Sequence, residues 1–153
     1  LPYVDADHIA VMGWSFGGFL SLLTLTDPDA GLASALAGAA PTEWSLYDTH
    51  YTERYMSTPQ DNPDGYAATD ILPRLDDLTG RLLILHGMAD DNVIFGNATR
   101  VIVALQDRGT PVVLTLHPGR RHGVRGEPRQ LQQWRTYLDF LDRTIGKRAE
   151  TAD

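Results

Sequence analysis

Short apolar runs alternate with amphipathic stretches along the chain. The apolar runs predict β-strands at residues 8–12, 34–38, 81–85 and 112–116, because short apolar runs bounded by turn signals suit buried strands. Between them, apolar positions at helical spacing predict α-helices at residues 16–25 and 97–105. Strands that alternate with helices form parallel sheets covered on both faces. The pattern therefore predicts an α/β fold with a mostly parallel sheet and helices on both faces.

Two further stretches complete the pattern. Residues 44–73 are polar, aromatic and rich in turn-forming residues, and we interpret them as an insertion that carries short helices. The DNPDG run at residues 61–65 invites a calcium-loop interpretation, but Pro63 breaks the ligand spacing, and a turn explains it better. Near the end, apolar residues recur three and four positions apart, which predicts a final helix with one apolar stripe: Leu131, Trp134, Leu138, Leu141 and Ile145.

Composition narrows the classes of function. The 153 residues are 42% hydrophobic and 22% charged, as in an ordinary globular protein, and the formal net charge is −7. An acidic surface repels phosphate backbones, so nucleic acid is not an expected partner. Because the sequence has no cysteine, disulfides, thiolate catalysis and a cysteine-ligated zinc site are excluded. No apolar run approaches the roughly 20 residues of a membrane-spanning helix, so no membrane segment is expected.

The segment Gly13-Trp14-Ser15-Phe16-Gly17 matches the motif G-x-S-x-G between a predicted strand and a predicted helix. In that context the serine occupies a tight turn that exposes its hydroxyl, and small neighbours prevent clashes. N–H groups at the start of the helix lie beside it. We interpret Ser15 as a nucleophile and the backbone N–H of Phe16 as an oxyanion donor. A glycine-rich turn without a catalytic role is the alternative.

A serine hydroxyl needs a base within hydrogen-bond reach, and the later strands are followed by candidates. Asp90 lies just past the third predicted strand, and His122 lies in the loop after the fourth. Serine, acid and histidine in that order, each on a loop after a strand, are typical of the α/β-hydrolase fold. We therefore predict a catalytic triad of Ser15, Asp90 and His122. Asp91 is an alternative acid, although the H-G-x-x-D-x-x-V spacing favours Asp90.

The remaining histidines are weaker candidates for the base. They lie before a strand, in the insertion or at strand ends, where a capping or solvated role is more common: His8, His50, His86 and His117. An isolated loop histidine such as His122 is itself more often a surface residue. Its place in the order of strands and loops is what singles it out.

The predicted sheet is small for this fold, and its first strand already carries the nucleophile. The first residue is Leu1. We therefore expect residues 1–153 to be the C-terminal part of an α/β-hydrolase catalytic domain in a longer parent protein, with N-terminal strands missing. Such a fragment has an unpaired sheet edge, so we expect it to be inactive or nearly so alone. A non-catalytic interaction module is the alternative from another class of function.

With these residues in view, the chain resembles the prolyl oligopeptidase family of serine peptidases, and within it the dipeptidyl peptidase IV branch. The resemblance runs through nearly the whole chain. It is carried by several blocks in the same order: GWSFGG at 13–18, Ala40-Pro41, Trp44, Tyr47-Asp48, YTERYM at 51–56, Asp61-Asn62 with Tyr66, and HGMADDNV at 86–93.

The resemblance implies removal of N-terminal dipeptides from peptides with proline, or less often alanine, in second place. It implies an acyl-enzyme and no metal or cofactor. On matching positions, aromatic and apolar side chains would form the walls of the proline pocket: Trp44, Tyr47, Tyr51 and Val93. Asn92 and Arg54 would lie beside the pocket, with Asn92 holding a substrate carbonyl. Flat aromatic walls suit a pyrrolidine ring. A helical core stripe is the alternative for the three aromatic residues, as are a turn residue for Asn92 and a surface ion pair for Arg54.

The resemblance also implies features outside these residues. Relatives have an upstream β-propeller with a glutamate pair that binds the substrate amine, and an upstream tyrosine that completes the oxyanion hole. Phe16 replaces a common tyrosine, and Thr42 replaces a small apolar residue at the pocket rim, which leaves the size preference open. A homodimer through the C-terminal helix and a periplasmic or secreted location are further expectations. An oligopeptidase, an acylaminoacyl-peptidase and an esterase of the same fold are alternative enzymes.

Overall fold

Four parallel strands form one sheet in the part of the chain described by the structure, residues 2–146 of a computed structural model. The strands are β1 (Ala10–Trp14), β2 (Ser34–Gly38), β3 (Arg81–Gly87) and β4 (Val113–His117), in the spatial order β1-β2-β3-β4. The α-helices are α1 (Phe16–Leu25), α2 (Thr49–Met56), α3 (Pro63–Thr69), α4 (Gly96–Asp107) and α5 (Glu127–Thr144). Short 3₁₀ helices occupy Pro28–Ala30, Trp44–Leu46 and Leu72–Asp77.

The strands and helices predicted from the sequence are present, with shifts at their ends. Strand β1 starts at Ala10, two residues later than predicted, and β3 runs on to Gly87. Helix α1 and strand β2 have the predicted bounds. Every neighbouring pair of strands is parallel, because each connection crosses over through helical segments. The predicted parallel α/β architecture is confirmed.

Successive residues of the central strands face opposite sides of the sheet, and both sides are covered. Ala35, Ala37, Leu82 and Ile84 belong to a core cluster with residues of α1 and α4. Leu36, Leu83 and Leu85 belong to a second cluster, with Tyr137 and Phe140 of α5. Each fully buried leucine contributes about 1.5–3 kcal/mol through removal from water. The two clusters therefore fix the sheet between helices, as expected for strands that are apolar throughout.

Helix α5 packs on the sheet through a face that shares only Leu141 with its predicted apolar stripe. Leu131, Trp134 and Leu138 are 48%, 55% and 59% exposed, whereas Tyr137 and Phe140 are buried. Tyr137 and Phe140, about one turn apart, thus make the contact with the sheet, together with the partly buried Leu141. The helix was predicted correctly, but periodicity alone did not identify which of its two apolar faces is buried.

The segment of residues 44–73 carries the short helices that were predicted. Its aromatic residues do not form one helical stripe: Trp44 lies in a 3₁₀ helix, Tyr47 is extended, and Tyr51 lies in α2. Asp48 caps α2 by accepting a hydrogen bond from the N–H of Tyr51 at 2.8 Å. The interpretation of these three residues as an ordinary helical stripe is therefore wrong.

Strand β1 forms one edge of the sheet. Met12 in this strand is 45% exposed, and nearby Ile9 is 37% exposed. No described helix is both long enough and apolar enough to span a lipid bilayer. The edge strand carries the serine motif at its end, so the active-site turn lies at the border of the sheet.

Candidate active site

The three residues predicted to form the triad lie at the carboxyl ends of strands. Ser15 directly follows β1, Asp90 lies between β3 and α4, and His122 lies between β4 and α5. In an open parallel sheet these ends share one edge, which is where α/β proteins place their ligands. The fold thus brings residues that are remote in sequence to one rim.

Ser15 occupies a tight turn between β1 and α1. Its backbone has φ 60° and ψ −121°, a conformation that non-glycine residues rarely adopt. Its N–H donates to the carbonyl of Gly38 at 2.7 Å. A Cβ on Gly13 would lie 2.1 Å from the carbonyl oxygen of Gly17, whereas a Cβ on Gly17 would meet nothing within 4 Å. The predicted need for a small neighbour therefore holds at position 13 and not at position 17.

The imidazole of His122 lies between the serine and the acid. Its Nε2 is 2.9 Å from Oγ of Ser15, and its Nδ1 is 2.9 Å from Oδ2 of Asp90. The Asp90 side chain is fully buried, and that of His122 is 27% exposed. With its proton on Nδ1, the ring donates to Asp90 and offers the Nε2 lone pair to the serine hydroxyl. The three side chains form one hydrogen-bonded chain.

Backbone N–H groups fix the Asp90 carboxylate. Its Oδ1 accepts hydrogen bonds from the N–H groups of Asn92 and Val93, each at 3.0 Å. This leaves Oδ2 for His122. Asp91, the alternative acid, forms an ion pair with Arg121 at 3.0 Å, and both of those side chains are largely exposed. Of the two adjacent acids, Asp90 is the one that contacts the histidine.

His86, at the end of β3, supports the same loop from inside the core. It is 1% exposed, and its Nε2 lies 2.9 Å from the carbonyl oxygen of Val93 and 3.5 Å from Oδ2 of Asp90. Burial lowers the pKa of His86, against the opposing effects of the Val93 hydrogen bond and the Asp90 charge. A neutral ring with its proton on Nε2 donates to Val93 and closes the loop that holds Asp90. The sequence suggested only a capping or solvated role for this residue.

The other histidines lie away from the serine. His8 is exposed beside Asp5, and His50 is an exposed residue of α2. Burial, and then the charge of Arg120, lower the pKa of His117 at the end of β4. Within residues 2–146, none of these rings has a hydrogen bond to Ser15, so the contact pattern singles out His122.

Trp14, the variable residue before the serine, ties two loops together. Its Nε1 donates to the backbone carbonyl of His122 at 2.8 Å, and the two ring centroids are 6.5 Å apart. A Cβ on Gly38 would lie 2.1 Å from Cε3 of Trp14, so the indole depends on glycine in β2. Nothing in the sequence pattern indicated this contact. The only signal for it in the sequence is the indole N–H of Trp14, a hydrogen-bond donor that lies within the serine motif.

Phe16 begins α1 directly after the serine. The first N–H groups of a helix have no partner within the helix, and they carry the positive end of its dipole. The N–H of Phe16 is one of these groups, so its direction along the start of α1 suits stabilisation of an oxyanion. The Phe16 ring itself packs on Trp44, with centroids 5.9 Å apart.

Aromatic side chains form a cavity of about 140 Å³ beside the serine. Trp44 and Tyr51 are nearly parallel, with 26° between their planes and 6.2 Å between their centroids. Tyr47 stands at 83° to both rings and closes the corner. Such a box accepts a small, flat apolar group and excludes a long one. Its lining is Ser15, Phe16, Pro41, Trp44, Tyr47 and Tyr51.

The other residues predicted for the pocket, Asn92, Val93 and Arg54, do not line the cavity. Asn92 reaches the box through Tyr47, whose hydroxyl donates to Oδ1 of Asn92 at 2.8 Å. Burial raises the pKa of Tyr47, so this hydroxyl stays protonated as a donor. Val93 is fully buried and does not line the cavity. Arg54 does not line it either, and its guanidinium lies 5.8 Å from the centre of the Tyr55 ring.

A buried amide fixes the rim of the aromatic box. Oδ1 of Asn97 accepts a hydrogen bond from the N–H of Thr42 at 2.8 Å, and the Thr42 hydroxyl donates to the backbone carbonyl of Asn97 at 3.0 Å. Both residues are buried. The start of α4 is thereby joined to the segment that leads into Trp44. The sequence placed Thr42 at the rim, but the role of Asn97 was not anticipated.

The residues at this site do not resemble a metal centre. Within the described part of the chain, no three His, Asp or Glu side chains are grouped so as to hold a metal ion. The acid and base present here instead form a linear hydrogen-bonded chain to a hydroxyl. That arrangement can deprotonate the hydroxyl as it attacks an electrophilic carbon.

Comparison with known proteins agrees with this geometry. The sequence profile of the Prolyl oligopeptidase family matches residues 1–148. Dipeptidyl peptidase 8 from Homo sapiens and from Mus musculus are each 36% identical over 153 residues, covering 95% of this chain and 17% of the relative. The crystal structure of Porphyromonas gingivalis dipeptidyl peptidase 4 matches with a TM-score of 0.91 at 34% identity, covering 95% of this chain and 21% of that chain.

The likeness extends over the whole described sheet and its helices. The chain spans 17% to 21% of the length of these relatives, and it corresponds to part of their α/β-hydrolase fold. The predicted fold is thus confirmed by both sheet topology and structural similarity. The family match covers nearly all of the sequence, including the serine motif and the segments that carry Asp90 and His122. The chain belongs to the prolyl oligopeptidase family.

Proposed function

We propose that residues 1–153 form the C-terminal part of the catalytic domain of a serine peptidase that releases dipeptides with proline or alanine in second place. The observation that carries this proposal is the pair of 2.9 Å contacts joining Ser15, His122 and Asp90. Relatives named dipeptidyl peptidases support the substrate class. The parent protein would also contain the upstream propeller and the residues that bind the substrate amine.

The geometry supports an acyl-enzyme mechanism. Oγ of Ser15 attacks the carbonyl carbon of the scissile bond while Nε2 of His122 takes the hydroxyl proton. The resulting oxyanion accepts a hydrogen bond from the N–H of Phe16. His122 then gives its proton to the leaving amine as the C–N bond breaks. A water repeats the sequence on the ester and restores the Ser15 hydroxyl.

Asp90 acts through the histidine in this mechanism. Its buried carboxylate holds the proton on Nδ1, so that Nε2 is free to accept the serine proton. It also stabilises the imidazolium that forms during attack, because opposite charges interact strongly away from water. The two N–H groups on Oδ1 keep the carboxylate in one orientation.

The aromatic box would receive the side chain before the scissile bond. Its volume of about 140 Å³ and its crossed rings suit a pyrrolidine ring or a methyl group. Asn92, held by Tyr47, would donate its amide N–H to a substrate carbonyl at the edge of the box. Val93 and Arg54 are proposed to act from behind and beside these walls.

The test uses the full-length protein that contains residues 1–153. We expect hydrolysis of Gly-Pro-p-nitroanilide, weaker hydrolysis of the Gly-Ala compound, and no hydrolysis after amino-terminal acetylation. Ser15→Ala should abolish turnover and labelling by a fluorophosphonate. Cleavage of acetylated substrates in preference to Gly-Pro would favour the alternative acylaminoacyl-peptidase. Cleavage of simple esters alone would favour an esterase.

The isolated residues 1–153 are expected to show little or no activity. The substrate amine has no proposed binding group within them, and β1 is an unpaired edge that exposes Met12. The measurement is turnover of Gly-Pro-p-nitroanilide by purified residues 1–153 and by the full-length protein at equal concentration. Turnover by the fragment within tenfold of the full-length rate would contradict this part of the proposal.

A homodimer through α5 is proposed as well. The exposed side chains of Leu131, Trp134 and Leu138 form an apolar stripe on this helix, and such patches favour protein contacts. Leu138→Glu should convert a dimer of the full-length protein to a monomer in light scattering. Leu20→Glu, a matched change at an exposed position of α1, should not. A monomeric native protein would refute the dimer.

A further inference from the structure

A cleft lined by arginines lies directly beside the triad. Its volume is about 580 Å³, and its lining includes His122, Asn92 and four arginines. The chain carries a formal charge of −7 and only 13 basic residues, yet these four fall within residues 120–129. We propose that this cleft binds a carboxylate of the peptide substrate and so gives the site a preference for acidic peptides. The arginines are Arg120, Arg121, Arg125 and Arg129.

The backbone that presents these side chains is firmly held. The carbonyl of Arg120 accepts a hydrogen bond from the N–H of Ala89 at 2.9 Å, and the N–H of Arg120 donates to His117 at 3.2 Å. A Cβ on Gly87 would lie 2.4 Å from the carbonyl oxygens of both Arg120 and Arg121. The histidine loop is therefore in close contact with the acid loop.

Three of the four guanidinium groups lack a carboxylate partner within residues 2–146: Arg120, Arg125 and Arg129. Outside the cleft, some described arginines have ion pairs, as Arg100 has with Glu43 and Arg108 with Asp76, and others, such as Arg135, have none. In the cleft, Arg121 alone is paired, with Asp91 at 3.0 Å. Asp91 is the one carboxylate among the lining residues. The cleft therefore carries an excess of positive charge on an acidic protein.

The position of the cleft relates it to the reaction, and here the inference rests on the proposed function. His122, which would protonate the departing amine, lines the cleft. Asn92 lines it too and is hydrogen-bonded to Tyr47 of the aromatic box. A carboxylate can reach the arginines from the released dipeptide or from the departing peptide. The chemistry is the same in both cases, and the experiment separates the two sources.

The expected effect is modest because Arg121, Arg125 and Arg129 are exposed and Arg120 is only partly buried. An exposed ion pair contributes little, whereas several like charges around one carboxylate act together. We expect an acidic peptide to bind about three- to fivefold more tightly than its neutral counterpart at about 10 mM ionic strength. At about 1 M salt the preference should disappear, since the Debye length falls to about 3 Å.

The experiment measures peptide binding to the full-length Ser15→Ala protein, which cannot turn over. The neutral reference is Gln-Pro-Gln-Gln with an amidated C-terminus. Three peptides each add one carboxylate: Glu-Pro-Gln-Gln-amide, Gln-Pro-Glu-Gln-amide, and Gln-Pro-Gln-Gln with a free C-terminus. The first tests the released dipeptide, and the other two test the departing peptide. We expect at least one to bind more tightly than the reference. Equal binding of all four would overturn the proposal.

Substitutions then assign the effect to the cleft. Arg120→Gln with Arg125→Gln should reduce the acidic-to-neutral affinity ratio to about one. Asp91→Asn should raise the ratio about twofold, because it frees Arg121. The control is Arg135→Gln, the same charge change on α5 outside the cleft, which should leave the ratio as it is. An acidic preference that survives the double substitution, or that falls in Asp91→Asn, would refute the site.

Failure of the two proposals can be told apart. If the wild-type protein hydrolyses none of these peptides but the Ser15→Ala protein prefers the acidic ones, the cleft stands and the peptidase proposal falls. If the neutral peptide is hydrolysed and no acidic preference is present, the peptidase proposal stands and the cleft falls. Asp91→Asn keeps the test decisive even if the double substitution impairs folding.

Discussion

The indole Nε1 of Trp14 donates a hydrogen bond of 2.8 Å to the backbone carbonyl of His122. Trp14 immediately precedes Ser15, so one residue joins the two loops that carry the proposed nucleophile and the proposed base. The histidine loop also contains Gly119, whose φ of +67° favours glycine. The indole therefore restrains the segment that carries the base.

Trp14→Phe tests this restraint, because it keeps an aromatic ring and removes the N–H donor. We expect kcat to fall about five- to tenfold, through loss of one hydrogen bond and a less well-positioned imidazole. KM for Gly-Pro-p-nitroanilide should change less than twofold. Tyr3→Phe, at a position that is 81% exposed, should change kcat less than twofold. Equal losses in the two variants would show that the tether is unimportant.

Asp90→Asn should lower kcat/KM roughly 10³- to 10⁴-fold. The amide oxygen would still accept from the N–H groups of Asn92 and Val93. Its NH₂ would then face Nδ1 of His122 and force the proton onto Nε2, which could no longer accept the serine proton. Asp91→Asn should lower kcat/KM less than tenfold. A larger loss for Asp91→Asn than for Asp90→Asn in steady-state assays would reverse the assignment of the acid.

Tyr47→Phe should weaken substrate binding more than turnover. It removes the hydroxyl that donates to Asn92 and retains the ring of the aromatic box. Because the amide of Asn92 then loses its fixed orientation, we expect KM to rise about threefold to tenfold, with kcat within twofold. Tyr3→Phe, at a site that is 81% exposed, is the control. A fall confined to kcat would place Tyr47 in the chemical step instead.

His86 should contribute to the loss of stability in acid. Burial lowers its pKa below the ordinary 6.5, so the unfolded chain takes up a proton at a higher pH than the folded protein does. The free energy of unfolding therefore falls as pH drops from about 6.5 through the folded pKa, by at most about 1.4 kcal/mol per pH unit. Above pH 6.5 this contribution is complete.

His86→Gln keeps a donor for the carbonyl of Val93 and cannot be protonated in this range. Denaturant unfolding of the variant should therefore show less loss of stability than the wild type between about pH 7 and pH 5. His117, whose pKa burial also lowers, remains in both proteins and provides a common background. Parallel stability curves for the two proteins would disprove the contribution of His86.

Gly13 and Gly17 should respond in opposite ways to alanine. A Cβ at position 13 would lie 2.1 Å from the carbonyl oxygen of Gly17, whereas one at position 17 has open space. We expect Gly13→Ala to destabilise the protein by about 3 kcal/mol or to prevent folding. Gly17→Ala should have a neutral or slightly stabilising effect, since alanine favours helices. The measurement is the midpoint of thermal unfolding by circular dichroism.

The sequence predicted the strands and the triad because both follow from local patterns. Apolar runs identified β2 and β3, and the order of loops singled out Asp90 and His122. Helix α5 was harder, because Tyr137 and Phe140 on one face are as apolar as Leu131 and Leu138 on the other. Which of these faces is buried depends on the shape of the sheet beneath it, and that information is tertiary.

The contacts that fix the site were not predictable for a related reason. The tether from Trp14, the support from His86 and the clamp between Asn97 and Thr42 each join a side chain to a backbone group remote in sequence. Backbone groups are present at every residue, so no motif marks their partners. The aromatic box was anticipated only through the family resemblance. The spacing of Trp44, Tyr47 and Tyr51 equally suited one continuous helix, which the structure does not contain at these residues.

The reacting atoms of Ser15 and His122 are 2.9 Å apart although 107 positions separate them along the chain. Contacts this distant in sequence cannot form within a single hairpin or helix pair, so Ser15 and His122 meet only when β1 and β4 have joined the same sheet. A nascent or partly unfolded copy would therefore lack this contact. Under the proposed function, hydrolysis by the full-length protein would report how many molecules in a preparation have completed folding.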